Sequence, residues 1–344
     1  MTGLAEFLAS EVGEGSFPGA VALVGDQDAV REIAAAGNAV LEPERIPVSE
    51  DTLFDLASLT KPLVCGALAV AALPSLDQTS SPGRYLPGWK ATRYDGISLE
   101  SLLTHTSGLP AWYPVYSRGE GALAYRRTLA TIEPEGRPSE RVIYSDLNFL
   151  VFGDILEVHF SAPLDATFAA LVSGPAGSGA SFLPGRSPSV AATEKGDLTE
   201  RRMAEGMGIS YPHFRSGVVW GEVHDGNAYR RGGVAGNAGL FGTARDVWRL
   251  ARPWLDSSRR DFTRDRTPGL AEARGLAWQG SHGAGSAVPA MPDSAFGHTG
   301  FTGTSLWIDP EARQIAVLLT NRVHPEARPV DFNAVRRRFH ERLW

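Results

Sequence analysis

Leu4, Phe7, Leu8 and Val12 recur at helical spacing and predict an amphipathic helix at the start of the chain. An apolar run follows from Gly19 to Gly25. After the turn at Asp26–Asp28 a second run covers Ala29 to Ala36, and the two read as a strand hairpin. Residues 52–57 read as a short strand. Residues 58–73 are almost wholly apolar and Ala-rich, the pattern of a helix buried on every side. From about 76 to 210 the pattern breaks into Pro- and Gly-rich loops, with helices predicted near 98–104, 119–131 and 147–159. Strand patterning resumes at 217–223, 239–242, 301–308 and 314–321, with a turn at Pro310. A terminal helix carries Phe332, Val335, Phe339 and Leu343 on one face. Arg336, Arg337, Arg338 and Arg342 lie on the other and read as a solvated face. The expected architecture is α+β. Residues 1–75 and 211–344 form an α/β domain whose two ends share one antiparallel sheet flanked by terminal helices, and 76–210 form a mostly helical insertion.

Composition narrows the function classes. With 344 residues and 43% hydrophobic side chains the chain can bury a large core, and disorder is excluded. A single cysteine excludes a disulfide framework and any zinc or iron–sulfur site built on cysteines. The net charge of −6 gives no support to a nucleic-acid partner. The longest apolar stretch, 63–73, is too short to span a bilayer, and residues 1–20 lack a basic segment followed by an apolar run. A cytoplasmic location without a membrane partner is therefore the expectation. The eight histidines show no paired metal spacing, so neither a metal nor a cofactor is called for.

Of the 33 basic residues only three are lysines: Lys61, Lys90 and Lys195. Arginine does not give up its proton, so chemistry that needs a neutral amine has three candidates. Lys61 alone follows a serine by three positions, in Ser58-Leu59-Thr60-Lys61. That spacing brings hydroxyl and amine together one turn apart at the start of the buried helix. Burial and the helix N-terminus both push the amine toward its neutral form. Cys65, one turn further on amid Leu, Val and Ala, reads as an inert buried thiol. Tyr144 in Tyr144-Ser145-Asp146 sits just outside the 147–159 helix, free to face a cleft, with Asp146 readable as that helix's N-cap. His298-Thr299-Gly300 precedes the 301–308 strand, where Gly300 permits close approach to the backbone.

The ordered series S-x-x-K, Tyr-x-Asp and His-Thr-Gly resembles the serine β-lactamase and penicillin-binding protein superfamily, in its class C-like branch. The segments 102–109, 232–241 and 298–303 resemble that branch as well, and the likeness runs from about 15 to 325. It implies a β-lactamase/transpeptidase-like fold. Ser58 is then the acylated nucleophile, Lys61 and Tyr144 together the base, and the N–H groups of Ser58 and Phe301 the oxyanion hole. Asp146, His298, Thr299, Gly300 and Phe301 would contact substrate.

Two positions depart from the pattern. Asp146 stands where penicillin-recognising relatives carry Asn, and an ionised carboxylate cannot donate to a substrate carbonyl. Were Asp146 to pair with Lys61, the amine would hold its proton and Tyr144 would become the better base. His298 replaces the lysine of β-lactamases and is a poorer magnet for a carboxylate. Both departures favour small esters or amides. An esterase-type acyl hydrolase comes first, then a DD-peptidase, D-aminopeptidase, β-lactamase or acyl transferase, then a ligand-holding sensor without turnover. His224-Asp225 reads as a loop brace, and residues 233–239 as structural or as cleft wall.

Overall fold

The computed structural model describes residues 3–89, 96–283 and 285–344; Lys90 lies outside them. Its strands are β1 (Gly19–Gly25), β2 (Val30–Val40), β3 (Ile46–Pro47), β4 (Phe54–Asp55), β5 (Ser181–Phe182), β6 (Ala192–Lys195), β7 (Val218–Trp220), β8 (Leu240–Gly242), β9 (Gln279–Gly280), β10 (Phe296–Thr299), β11 (Ser305–Asp309) and β12 (Gln314–Thr320). The main sheet has seven strands in the order β3-β2-β1-β12-β11-β10-β9, and its pairings are antiparallel. The first and last parts of the chain meet at its centre, where Ala20 pairs with Thr320 and Gly25 with Ile315.

Alternation along β1 divides the core. Ala20, Ala22 and Val24 face the helices Leu4–Gly13 and Phe332–His340, where the Phe7 and Phe339 rings lie 5.7 Å apart. Val21 and Leu23 face the larger core, which holds Leu59, Leu63, Phe149 and Phe152. Each fully buried Leu or Phe there contributes about 1.5–3 kcal/mol. The mixed α/β architecture with an antiparallel sheet is the one the sequence predicted.

Four expectations from the sequence need correction. The predicted strands near 217–223 and 239–242 do not join the main sheet: β7 pairs with β6, and β8 pairs with β4 and β5. The predicted 301–308 strand is a turn followed by β11, and the His-Thr segment lies on β10 instead of preceding a strand. The terminal arginines are not all solvated. Arg336 is buried and donates to Gly300 O (2.6 Å) and Thr304 O (3.0 Å), and Arg338 pairs with Glu11. The buried helix predicted over 58–73 begins as a 3-10 turn (Ala57–Leu59), passes through a π-helical stretch (Lys61–Gly66) and ends as an α-helix (Ala67–Ala72). No single helix among the described residues is long and apolar enough to cross a membrane.

Candidate active site

The nucleophile turn is shaped by its neighbours in sequence. Ala57 adopts φ 47°, a left-handed conformation uncommon for a residue with a Cβ. Its N–H donates to Asp55 Oδ1 at 2.8 Å, which fixes the reversal and presents Ser58 at the surface of a cavity of about 110 Å³. Lys61, one turn later, is completely buried. Its Nζ donates to Ser58 Oγ (2.8 Å) and to Asn237 O (3.1 Å), and lies 2.5 Å from Asp146 Oδ1. The buried ammonium is thus surrounded by acceptors.

This geometry overturns the expectation of a depressed amine. Burial does push Lys61 toward neutrality, but the Asp146 carboxylate and Tyr144 outweigh it, and Lys61 is held well above the ordinary lysine value. The helix beginning at Asp146 takes Ser145 as its N-cap, and the Asp146 carboxylate is spent on Lys61, so the capping reading of Asp146 is also corrected. Ser145 itself is bound by backbone and side chain, to His105 Nδ1 (2.9 Å) and Pro110 O (2.5 Å).

Tyr144 lies 5.1 Å beneath Lys61 Nζ, measured to the ring centre, and packs on the His105 ring at 4.5 Å and the His298 ring at 5.8 Å. Burial raises the phenol above its ordinary value; Lys61 and hydrogen bonds from Lys61 and Ser58 pull it down, and Asp146 pushes it up again, for a net rise. Both histidines are held neutral. Burial, then Arg274 and Lys61, drive His105 far below the usual imidazole range, and burial, then Lys61 and Arg274, do the same for His298. His298 Nδ1 donates to Thr299 O at 2.8 Å, leaving Nε2 buried without a partner among the described residues.

The 300–304 turn seats against the nucleophile turn. Thr302 Oγ1 donates to Asp55 O (2.8 Å) and Thr304 Oγ1 to Leu56 O (3.1 Å). Gly300 is required at this contact: a Cβ would sit 2.1 Å from Thr304 Oγ1 and 2.7 Å from Leu56 O. The turn's own bonds run from Gly300 N to Thr304 O and from Gly303 N to Gly300 O, and do not use the Phe301 N–H. Ser58, Lys61, Tyr144, Asp146, His298, Thr299, Gly300 and Phe301 are thus brought to one place.

Two cavities flank that place. Beside Ser58 the lining includes Trp112, Met203, Ala238 and Phe301 together with Asp146, Glu200, His224 and Asp225. Beyond Tyr144 a polar cavity of about 240 Å³ is lined by Arg274, Gln279, Ser286, His298, Thr299 and Asn333. Arg274 is paired there with Glu272, which offsets its charge. Cys65 is buried, and burial pushes its thiol up to about 12, consistent with an inert side chain. His224 does not form a dyad with Asp225. Asp225 caps the helix Gly226–Arg230, and His224 pairs with Glu194. Among the described residues no group of three or more His, Cys, Asp or Glu is arranged to hold a metal ion.

Comparison with known proteins follows from this arrangement. The family model described as Beta-lactamase matches residues 4–338. Salmonella paratyphi B has a protein carried under the provisional name D-alanyl-D-alanine carboxypeptidase. It is 32% identical over 328 residues, spanning 83% of this chain and 73% of the relative. Among solved structures, EstCE1, a hydrolase with promiscuous acyltransferase activity, superimposes with TM-score 0.71 at 20% identity, covering 96% of this chain and 97% of its own. A penicillin-binding protein homologue from Caulobacter crescentus gives 0.72 at 16% identity, covering 96% and 94%.

Proposed function

The chain belongs to the β-lactamase family of serine hydrolases, and from that premise we propose that it is an esterase-type acyl hydrolase working through an acyl-Ser58 intermediate. The observation that carries this reading is the state of Asp146. Its carboxylate is committed to Lys61 and offers the Ser58 cavity acceptors only. A substrate amide carbonyl finds no donor there, whereas an ester needs none. The neutral His298 and the compensated Arg274 likewise make a weak receptor for a substrate carboxylate.

In this mechanism Ser58 Oγ attacks the ester carbonyl. The developing oxyanion is held by the Ser58 and Phe301 N–H groups, each worth roughly 3 kcal/mol of barrier in a formed hole. Because Tyr144 holds its own proton at rest, it acts as a relay. Its phenol protonates the departing alkoxide as its oxygen takes the Ser58 proton. The Lys61 ammonium, fixed by Asp146, stabilises the negative charge that builds on both oxygens. The relative from Salmonella supports a second reading as a D-alanyl-D-alanine carboxypeptidase.

The test offers p-nitrophenyl butyrate, a chromogenic cephalosporin and a D-Ala-D-Ala peptide to the wild-type protein and to Ser58→Ala. Sustained ester turnover lost in the variant supports the proposal. Preferential cleavage of the peptide would replace it with the second reading. A stoichiometric Ser58 adduct without turnover would make the protein a sensor.

A further inference from the structure

Resting on the acyl-Ser58 reading, we infer that His224, oriented by Glu194, is the general base that activates the water for deacylation. Lys61 and Tyr144 both keep their protons at rest, so Tyr144 passes a proton on without being a net base, and a group that accepts and keeps the water proton has a place in the second half-reaction. His224 faces the same cavity as Ser58. Its Nε2 lies 3.2 Å from Glu194 Oε2, and Nδ1 makes no hydrogen bond among the described residues and is not sealed from solvent. With a carboxylate accepting at Nε2, the neutral ring carries its proton there and keeps the Nδ1 lone pair available to accept one.

The mounting is rigid. The His224 N–H donates to Asp55 Oδ2 at 2.7 Å, and Arg215 donates to the carbonyls of Val223 and His224, each at 2.8 Å. Phe301 stacks on one face of the imidazole, 5.4 Å between centres at 20°. Glu194 is oriented in turn by Thr199, whose hydroxyl donates to Oε1 at 2.7 Å. The same Asp55 therefore braces both the Ser58 turn and the His224 backbone.

The step balances as follows. Water gives a proton to His224 Nδ1 as its oxygen bonds to the acyl carbon. The tetrahedral intermediate collapses, the carbon–Oγ bond breaks, and Ser58 Oγ takes the Tyr144 proton. The imidazolium and the phenolate then exchange protons through solvent. The charged groups that act on the ring are Glu194, Asp55, Arg215 and Glu200; Asp225 and Asp146 line the same cavity, and Arg322 lies beyond Phe301. Burial alone would lower the imidazole; Glu194 and Asp55 outweigh it and hold His224 above its ordinary value, and Arg215 opposes them.

The experiment measures acylation and deacylation separately, by stopped-flow with p-nitrophenyl butyrate and by intact-protein mass, in wild type, His224→Asn and Glu194→Gln. In His224→Asn deacylation falls about 100-fold while acylation stays within a few-fold, so a butyryl adduct accumulates at Ser58. In Glu194→Gln the acid limb of the deacylation profile moves to lower pH. Deacylation unchanged in His224→Asn, both steps slowed alike, or an unmoved limb in Glu194→Gln would overturn the inference and leave Ser58 as the nucleophile. Ester turnover with no Ser58 adduct in any variant would overturn both.

Discussion

Asp146→Asn separates two roles for Lys61 that the same contacts could serve. In the native site the ammonium and carboxylate are 2.5 Å apart, with Nζ fully buried and the Asp146 side chain 20% exposed. At an effective dielectric near 20 such a pair has a gross attraction of roughly 7 kcal/mol. Asparagine retains an oxygen acceptor and solvent reaches this side of the pair, so about half, roughly 3 kcal/mol, is a working figure for the loss. At 1.36 kcal/mol per unit that lowers the Lys61 pKa by about two units. Burial, the largest influence and the one favouring the neutral amine, then acts unopposed by the carboxylate. The consequence for activity has opposite signs in the two mechanisms. If the ammonium stabilises charge on Ser58 and Tyr144, kcat/KM falls in the variant across the whole range. If a neutral amine were the base, the variant would be more active than wild type near pH 8. The assay is the pH profile of kcat/KM for p-nitrophenyl butyrate from pH 6 to 10. A gain at pH 8 would refute the reasoning. Stability gives an independent reading. Because the folded Lys61 pKa lies above its unfolded value of 10.5, the pair's contribution is fully present below that value and is lost as pH rises through the folded one. Asp146→Asn should therefore lower Tm throughout neutral pH.

Lys61→Arg should be nearly as damaging as Lys61→Ala, each costing about 10²–10⁴-fold in kcat/KM, because a planar guanidinium cannot reproduce the compact charge that meets Ser58 Oγ, Asn237 O and Asp146 in this buried position; retention of most activity in the Arg variant, measured by steady-state kinetics, would sink this. Gly300→Ala should reduce kcat more than it raises KM, since the new Cβ would push the 300–304 turn off Leu56 O; an unchanged kcat would show that the turn does not contribute to the oxyanion hole. Burial and the nearby Asp225 raise Glu200 to about 8 from 4.5. The folded state therefore holds this proton more tightly than the unfolded one, and its contribution to stability declines as pH rises from about 4.5 to 8. Glu200→Gln should flatten the fall in Tm over that window, and a fall of unchanged steepness would assign it to other groups.

Some of the site could be read locally and some could not. Ser58 and Lys61 are three positions apart, so one helical turn determines their meeting, whatever the remainder of the fold does. The Lys61–Asp146 pair joins residues far apart in sequence, and sequence alone left open whether Asp146 caps its own helix or crosses to Lys61. Periodicity likewise showed that 217–223 and 239–242 are strand-like but not which sheet receives them, because an apolar run specifies burial and not a partner. The turn at 300–304 was hidden because Phe301, Thr302 and Thr304 have strand propensity and lead into Leu306-Trp307-Ile308; Gly303, at φ 102°, was the signal that the chain reverses there before β11. Arg336 was readable in principle. Phe332, Val335, Arg336 and Phe339 follow the i, i+3, i+4, i+7 spacing of one helix face, and the adjoining arginines masked that register. The Glu194–His224 pair gave no sequence signal at all, since its members come from β6 and from the loop after β7.

Asp55 shows why a site assembled from such distant segments holds its geometry. Its backbone carbonyl accepts Thr302 Oγ1 across 247 positions, its Oδ1 accepts the Ala57 N–H and its Oδ2 accepts the His224 N–H. One buried side chain and its own carbonyl thus tie together the nucleophile turn, the turn that carries the Phe301 N–H, and the His224 loop. Burial raises the Asp55 pKa, and the backbone donors of His224 and Ala57 oppose that rise without cancelling it. Holding Ala57 at positive φ costs on the order of 1 kcal/mol, and a hydrogen bond to its N–H is worth about 0.5–1.5 kcal/mol. The strain that presents Ser58 is therefore offset by the residue that also positions its partners. Loss of Asp55 would uncouple all three segments together, and the nucleophile turn could relax away from the cavity with Ser58 and Lys61 both still present.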